Sequence, residues 1–261
     1  MTEYATSADG TRIAFDRYGS GPAVIFVAAA MQFRAFAPQT AELAKSLADR
    51  GFTVAVYDRR GRGESVGPGP FTLAAELADL RAVIDAVGGR ASLVGNSSGG
   101  AIALAAASAG LPVTAVALWE VPLGAELGSE GAEFLAGLRE RVDAGDEAGT
   151  IEFYMQDMPP EWLERARQSP AWPVMTAISA TLVPDAEALA WTQSAPHTEL
   201  FGLITAPVLA MHGSESLSIF PPAARAVAAA VPDGRVATVP GRDHGWEVGA
   251  MSEALAGFLR E

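Results

Sequence analysis

Short apolar segments alternate with amphipathic segments over the first 120 residues of the chain and again after residue 205. The stretch 23–27 is continuously apolar and follows Gly-Pro, as expected of a strand covered on both faces. The stretch 73–87 has the spacing of an amphipathic helix and ends at two glycines. This alternation predicts βαβ units and a parallel, doubly wound α/β sheet. The predicted strands are 12–16, 23–27, 52–57, 92–94, 113–119, 206–211 and 235–239, and the main helices are 41–50, 73–87, 98–109, 222–231 and 251–259.

The alternation stops after Pro122 and resumes at residue 206. In between, the chain has no obvious strand, and glycines and prolines divide it into short helical stretches rich in large apolar residues. A length of 261 residues suits one α/β domain with an insertion. We therefore predict a core made of residues 1–123 and 201–261, and an inserted helical cap made of residues 124–200.

The chain is acidic and lacks cysteine. Its net charge of −13 argues against nucleic acid or an anionic membrane as a partner, because both need basic surfaces. The absence of cysteine excludes disulfides, thiolate catalysis and cysteine-ligated metals. No leader pattern is visible at the N-terminus, and Gly110 and Pro112 interrupt the apolar stretch 101–119. We expect a soluble cytoplasmic protein, either a monomer or a homodimer, that acts on a small molecule.

One segment carries a chemical signature. Gly95-Asn96-Ser97-Ser98-Gly99 matches the pattern Gly-x-Ser-x-Gly and lies between a predicted strand and a predicted helix. In that setting the pattern is typical of a nucleophile elbow, a sharp turn that exposes a serine hydroxyl at the edge of a sheet. Ser97 is therefore the candidate nucleophile.

A serine nucleophile needs a base, and the chain has three histidines. His244 lies in a polar loop after the last predicted strand, at the carboxyl edge of the sheet where Ser97 also lies. His212 follows another strand and is interpreted as structural, whereas His197 lies in the inserted segment and faces either a pocket or solvent. His244 is the candidate base. We find no His, Asp and Glu spacing typical of a metal site and no glycine-rich phosphate loop, so no cofactor is expected.

These residues resemble the α/β-hydrolase superfamily, in particular its small cofactor-free esterases, lactonases and peroxidase-like enzymes. The similarity covers residues 10–123 and 203–261. Residues 57–65 resemble the family's turn after its fourth strand, and the chain order serine, acid, histidine also suits the family. The resemblance implies a mostly parallel eight-stranded sheet flanked by helices, with the insertion as a cap. The charged side chains of the turn are interpreted as structural ties between loops; they are Asp58, Arg59, Arg60 and Arg62.

The sequence departs from the family at the loop after the third strand. Many members have His-Gly there, whereas this chain has Ala28-Ala29-Ala30. A backbone N–H needs no particular side chain, so the oxyanion hole can survive this change. The resemblance assigns its donors to the N–H groups of Ala30 and Ser98.

The sequence also departs from the family at the acid. Most members place an aspartate after the seventh strand in a Gly-x-x-Asp pattern, where this chain has Ser216. A minority, including lactonases of a fungal mycoestrogen, uses a glutamate after the sixth strand, and Glu120 lies there. A carboxylate at the end of a buried strand is unusual unless it is paired. Glu120 is therefore preferred as the acid, and Glu215 is the alternative.

The sequence predicts a serine hydrolase that cleaves an ester or lactone of an apolar small molecule through Ser97, His244, Glu120 and an acyl-enzyme. A serine at the elbow argues against the haloalkane dehalogenase and epoxide hydrolase branches, whose intermediates need a carboxylate. Several alternatives stay open: a carbon–carbon hydrolase or thioesterase with the same triad, a lyase or perhydrolase-type side activity, or a weakly catalytic ligand-binding protein on this fold. The predicted substrate pocket is lined by Met31, Gln32, Phe33, Tyr154, Met158, Trp191 and His197.

Overall fold

The structure, a computed structural model, describes residues 2–67, 69–124 and 126–261. Its strands are β1 (Thr2–Thr6), β2 (Arg12–Tyr18), β3 (Ala23–Val27), β4 (Thr53–Tyr57), β5 (Ala91–Asn96), β6 (Val113–Trp119), β7 (Val208–Glu215) and β8 (Gly234–Arg242). Its α-helices are α1 (Pro38–Asp49), α2 (Leu73–Ala86), α3 (Ser98–Ser108), α4 (Glu130–Asp143), α5 (Glu147–Tyr154), α6 (Pro160–Gln168), α7 (Trp172–Ala177), α8 (Val183–Thr192), α9 (His197–Phe201), α10 (Phe220–Ala230) and α11 (Val248–Phe258). Short 3₁₀ helices lie at Arg34–Phe36 and Ser179–Leu182.

The eight strands form one mostly parallel sheet in the order β1-β2-β4-β3-β5-β6-β7-β8. Among the described strands, the pairs β1–β2 and β2–β4 are antiparallel, and all pairs from β4–β3 to β7–β8 are parallel. The predicted fold class is therefore confirmed. Strand β1 was not among the predicted strands, because it is an edge strand in which only Ala5 is buried and its sequence shows little apolar alternation.

Helices cover both faces of the sheet, as the continuous apolar strands predict. One face packs on α2, α3 and α10, with Leu80, Ile102 and Val227 buried against it. The other face packs on α1 and α11, which contribute Leu43 and Leu255. Because both faces are covered, the carboxyl edge of the parallel strands is the place where loops can form a site.

The helices α4 to α9 lie between β6 and β7, in the stretch predicted as the cap. Part of this segment has its own small apolar cluster, and Ala30 and Met31 from the loop after β3 pack against it. Helix α6 contributes no buried residue. Within the described residues, no helix combines the length and apolar character needed to cross a membrane. The buried members of the cluster are Leu138, Ile151, Tyr154, Met155, Leu182, Val183 and Ala186.

Candidate active site

Ser97 lies in the sharp turn between β5 and α3, which is the strand–turn–helix setting expected of its pattern. Its backbone has φ 54° and ψ −127°, a conformation that a non-glycine residue rarely adopts. The Ser97 N–H donates to Trp119 O at 2.8 Å, which fastens the turn to the end of β6. The side chain is partly exposed.

The glycines around Ser97 allow three backbone segments to approach each other closely. A Cβ atom on Gly99 would lie 2.3 Å from Val27 O, and one on Gly95 would lie 2.5 Å from the Gly100 Cα. Contacts that short are not tolerated, and the atoms concerned are backbone atoms that cannot rotate away. The Gly-x-Ser-x-Gly spacing is therefore a packing requirement of this turn as well as a signature.

Glu120 and His244 form a hydrogen-bonded pair at the carboxyl edge of the sheet. Glu120 follows β6 directly, has φ 45° and is only 2% exposed. Its Oε2 lies 2.5 Å from His244 Nδ1. Glu215, the alternative acid, is exposed at the end of β7, and in the described part of the chain it makes no hydrogen bond to His244. The structure thus brings Glu120, and not Glu215, to the histidine.

The other carboxylate oxygen of Glu120 is also fully engaged. Oε1 accepts the Gly213 N–H at 2.9 Å and the hydroxyl of Ser216. Burial alone would raise the pKa of Glu120, but the hydrogen bonds from His244, Ser216 and Gly213 together outweigh it and lower the pKa below its ordinary value. Glu120 is therefore held as an anion that can orient the imidazole and stabilise its protonated form.

Aromatic side chains surround the imidazole of His244 and hold its loop. The ring of Phe220 stacks on it at a centroid distance of 5.0 Å, and Trp162 of α6 lies at 6.0 Å. Trp119 Nε1 donates to His244 O at 3.1 Å, which ties the loop to β6. His244 itself has φ 67°, so these contacts maintain a strained backbone.

Trp119 is hydrogen-bonded to both Ser97 and His244 at the carboxyl edge of the sheet. Trp119 O receives the Ser97 N–H, and Trp119 Nε1 donates to His244 O. Among the described residues, no hydrogen bond joins the Ser97 hydroxyl to the imidazole within 3.5 Å.

The amide predicted as one oxyanion donor has a hydrogen-bond partner that the sequence does not reveal. The Ala30 N–H donates to Ser98 Oγ at 3.1 Å, and that hydroxyl donates to Asp185 Oδ1 at 2.7 Å. Ser98 is the first residue of α3, so its own N–H has no acceptor within the helix. The oxyanion roles of Ala30 and Ser98 stay predictions.

The predicted pocket residues fall into three places. Met31, Tyr154 and Met158 meet in the apolar cluster of the α4–α9 segment. Phe33 is buried against Phe36 at a ring distance of 4.3 Å. Gln32 lines a narrow cavity below the sheet edge and accepts a long hydrogen bond from the Asn96 side chain at 3.4 Å.

The remaining two predicted pocket residues do not join the others. Trp191 and His197 both pack on Phe201, at ring distances of 5.6 and 5.1 Å, within the core cluster that contains α3. Helix α9 brings the chain back to the core before β7, which places these two side chains there. Burial lowers the pKa of His197, partly offset by the charge of Glu126. The structure therefore does not bring Trp191 and His197 together with the other predicted pocket residues, and their role in a pocket stays a prediction.

Several residues at the site were not assigned a role from the sequence. Trp162 was counted only among the apolar residues of the insertion, and Phe220 carries no motif. Ser216 was recognised only as the residue in the place of the usual acid. Asp185 follows Val-Pro at the start of a helix, where an acidic residue is ordinary, so its sequence carries no functional signal. In the described part of the chain, no group of three or more His, Asp or Glu side chains is placed to hold a metal ion.

Comparison with known proteins matches this chain to one family and to many solved structures. The model of the alpha/beta hydrolase family matches residues 19–258. An alpha/beta hydrolase from Sphaerobacter thermophilus DSM 20745 is 34% identical, with a TM-score of 0.84, over 98% of this chain and 100% of that one. Comparison with curated proteins gives no match.

Two solved structures with lower identity share the fold. The enol-lactonase from Burkholderia xenovorans LB400 is 20% identical with a TM-score of 0.65, covering 99% of this chain and 100% of that one. A thermophilic esterase from Thermogutta terrifontis is 23% identical with a TM-score of 0.68, covering 100% of this chain and 97% of that one. At these identities the likeness extends to the architecture and not to a particular substrate.

Proposed function

The chain belongs to the alpha/beta hydrolase family, and on that premise we propose that it is a serine hydrolase that cleaves a carboxylic ester or lactone of an apolar small molecule. The observation that carries this proposal is the 2.5 Å pair of Glu120 Oε2 and His244 Nδ1 at the sheet edge where Ser97 occupies its strained turn. Esterases and an enol-lactonase are among the proteins that share the fold, which agrees with this reaction class.

The proposed reaction gives each of these groups a defined role. With Nδ1 of His244 bonded to the Glu120 carboxylate, Nε2 is left to take the proton of Ser97 as its oxygen attacks the carbonyl carbon. The N–H groups of Ala30 and Ser98 would stabilise the tetrahedral oxyanion. His244 then protonates the leaving alcohol, and water hydrolyses the acyl-enzyme by the same route in reverse.

The α4–α9 segment would act as the cap that closes over the substrate. Trp162 of α6 lies against His244, and Met31 of the loop after β3 packs on the segment's apolar cluster. An apolar wall with few polar groups suits an apolar acyl or alcohol group. The size of that group is the property that a series of substrates of graded length measures directly.

The test is hydrolysis of p-nitrophenyl esters of increasing chain length by wild type and Ser97→Ala, together with a phosphonate probe. We expect turnover that is lost in Ser97→Ala, and an adduct that mass spectrometry places on Ser97. Turnover that persists in Ser97→Ala would contradict the assignment of the nucleophile. A wild-type protein that neither turns over esters or lactones nor reacts with the probe would refute the proposal.

One observation favours a second candidate, a weakly catalytic ligand-binding protein on the same fold. The Ala30 N–H is already engaged by Ser98 Oγ at 3.1 Å, so one predicted oxyanion donor has a partner before any substrate binds. Losing one such donor typically costs about 3 kcal/mol of transition-state stabilisation. Tight binding of an apolar ligand without turnover would distinguish this candidate from the hydrolase.

A further inference from the structure

A group of four buried charged side chains joins the core to the α4–α9 segment. Arg59 and Arg62, from the turn after β4, are completely buried. Arg59 pairs with Glu76 at 3.1 Å and with Asp185 at 2.7 Å, and Arg62 pairs with Asp185 at 2.7 Å. Two positive and two negative charges balance, which removes the penalty of leaving a buried charge unpaired. Asp185 lies in α8 and is the only one of the four that the segment contributes.

The two arginines also hold the loop that carries the predicted oxyanion donor. Arg59 donates to Ala28 O at 3.2 Å, and Arg62 donates to Ala29 O at 2.9 Å and to Gln32 O at 3.3 Å. Ala29 O and the Ala30 N–H belong to the same planar peptide unit, so the bond from Arg62 to Ala29 O fixes the direction of that N–H. The bonds to Ala28 O and Gln32 O hold the backbone before and after it.

Asp185 also fixes the Ala30 amide through Ser98. Its Oδ1 accepts the Ser98 hydroxyl proton at 2.7 Å. A serine hydroxyl has one proton to give, so once Asp185 takes it the oxygen can act only as an acceptor. That oxygen then accepts the Ala30 N–H at 3.1 Å. The carboxylate in α8 thus sets the direction of a backbone amide in the core.

We propose that Asp185 is a positioning residue for catalysis: its carboxylate holds Arg59, Arg62 and Ser98, and these in turn fix the path of residues 28–32 next to the turn that carries Ser97. The inference rests on the proposed hydrolase function. It gives the α4–α9 segment a second role, because the segment would complete the oxyanion loop as well as cover the substrate. Arg59 and Arg62, which the sequence suggested only as ties between loops, connect Asp185 of the α4–α9 segment to residues 28–32.

Asp185→Asn removes this arrangement with little change in shape. An asparagine has one oxygen and one NH2 group, whereas both oxygens of Asp185 accept from charged donors. The NH2 group must therefore face either Arg59 and Ser98 or Arg62, and the hydrogen bonds on that side are lost. A misplacement of about 1 Å at a reacting centre costs about 100-fold in rate.

Asp79 of α2 offers a matched control, because it pairs with Arg60 of the same turn. It is also completely buried, and it pairs with Arg60 through two hydrogen bonds of 2.6 and 2.8 Å. Arg60 otherwise bonds to Asp9 and to none of the carbonyl groups of residues 28–32 among the described contacts. Asp79→Asn therefore opens a buried arginine–aspartate pair without touching the oxyanion loop.

The experiment compares wild type, Asp185→Asn, Asp79→Asn and Ser98→Ala. Each is measured for unfolding in urea, for kcat and KM on a p-nitrophenyl ester, and for the rate of phosphonylation of Ser97, whose product mimics the tetrahedral oxyanion. We expect both Asn variants to lose stability. Asp185→Asn should lower kcat and the phosphonylation rate by about 30- to 100-fold with KM changed by less than about 3-fold, because only transition-state binding is affected. Asp79→Asn should keep kcat within about 2-fold of wild type.

Equal kcat values for the two Asn variants, or a higher kcat in Asp185→Asn, would overturn the positioning role. Ser98→Ala keeps the arginine pairs of Asp185 and removes both bonds of the Ser98 hydroxyl, the one to Asp185 and the one from the Ala30 N–H. It therefore tests the same role if Asp185→Asn does not fold, and an unchanged kcat there would also overturn it. A wild-type protein without esterase activity or phosphonylation is a different result, because it refutes the hydrolase itself.

Discussion

Replacing Glu120 with glutamine tests the acid of the proposed triad most directly. In the structure, Oε2 faces His244 Nδ1 at 2.5 Å while Oε1 accepts the Gly213 N–H at 2.9 Å. Glutamine has one oxygen for these two positions. If the oxygen faces Gly213, the NH2 group faces Nδ1 and forces the imidazole proton onto Nε2, which removes the base. If the glutamine oxygen faces His244, the buried Gly213 N–H is left facing an NH2 group and has no acceptor.

The magnitude follows from the charge that is lost. At an effective dielectric constant of about 20, an imidazolium and a carboxylate about 4 Å apart attract each other by about 4 kcal/mol. Removing that attraction when His244 becomes protonated lowers the rate by about 10³-fold. The wrong tautomer adds to this, and the equivalent change in a serine protease triad lowers kcat by about 10⁴-fold. We therefore expect kcat of Glu120→Gln to fall by at least about 10³-fold.

The assay is p-nitrophenyl ester hydrolysis with the active sites counted by a phosphonate titrant, so that misfolded protein does not lower the apparent kcat. Glu215→Gln is the control, because Glu215 is exposed and should leave kcat near that of wild type. A Glu120→Gln variant that keeps kcat within about 10-fold of wild type would show that the pair seen in the structure does not serve catalysis.

Three further predictions concern packing, pH and the position of the acid. Gly99→Ala should lower the unfolding free energy measured in urea by more than about 2 kcal/mol, because its Cβ would lie 2.3 Å from Val27 O. Gly257→Ala in α11 should raise it by about 0.5–1 kcal/mol, because there a Cβ meets no neighbouring atom. The pKa of Glu120 is lowered in the folded protein, so its carboxylate stabilises the fold above its ordinary pKa of 4.5. That stabilisation is lost as pH falls through the folded pKa. The unfolding free energy of Glu120→Gln should therefore depend less on pH below 4.5 than that of wild type. Ser216→Asp in a Glu120→Ala background should recover at least about 10-fold in kcat, since the Ser216 hydroxyl already touches the Glu120 carboxylate. A kcat unchanged from that of Glu120→Ala would count against an interchangeable acid.

Much of the fold could be predicted because short local patterns in the sequence determine it. Strands β3 and β6 have the predicted ends, and α2 begins at the predicted residue, since apolar runs and glycine stops determine them. The turn at Ser97 could also be predicted from the Gly-x-Ser-x-Gly spacing, because its glycines lie against backbone atoms that leave no space for a Cβ. In each case the information lies within a few residues of the feature that it determines.

The contacts of the site could not be read in that way, because they join residues far apart in the chain. Asp185 reaches Ser98 across 87 positions and Arg59 across 126. Trp191 and His197 pack on Phe201, away from the other predicted pocket residues, because the path of α8 and α9 decides which face they meet. Helices as short as these carry no sequence pattern that predicts this choice. The preference for Glu120 over Glu215 rested on the family members that use a glutamate after the sixth strand and on the burial expected at a strand end.

The sheet itself explains why an acid can stand after β6 while the family more often uses β7. The two strands are parallel neighbours, with Trp119 paired to Met211, and Glu120 donates its N–H to Met211 O at 3.0 Å. Adjacent strands lie about 4.8 Å apart, so acids at their two ends approach the same point. A glutamate has one methylene more than an aspartate and covers part of that distance toward the loop after β8. The hydroxyl of Ser216 then bonds to the carboxylate from the vacated side. The geometry of the proposed triad is thus a property of the sheet edge, and we expect that the chain position of the acid can change without moving the histidine.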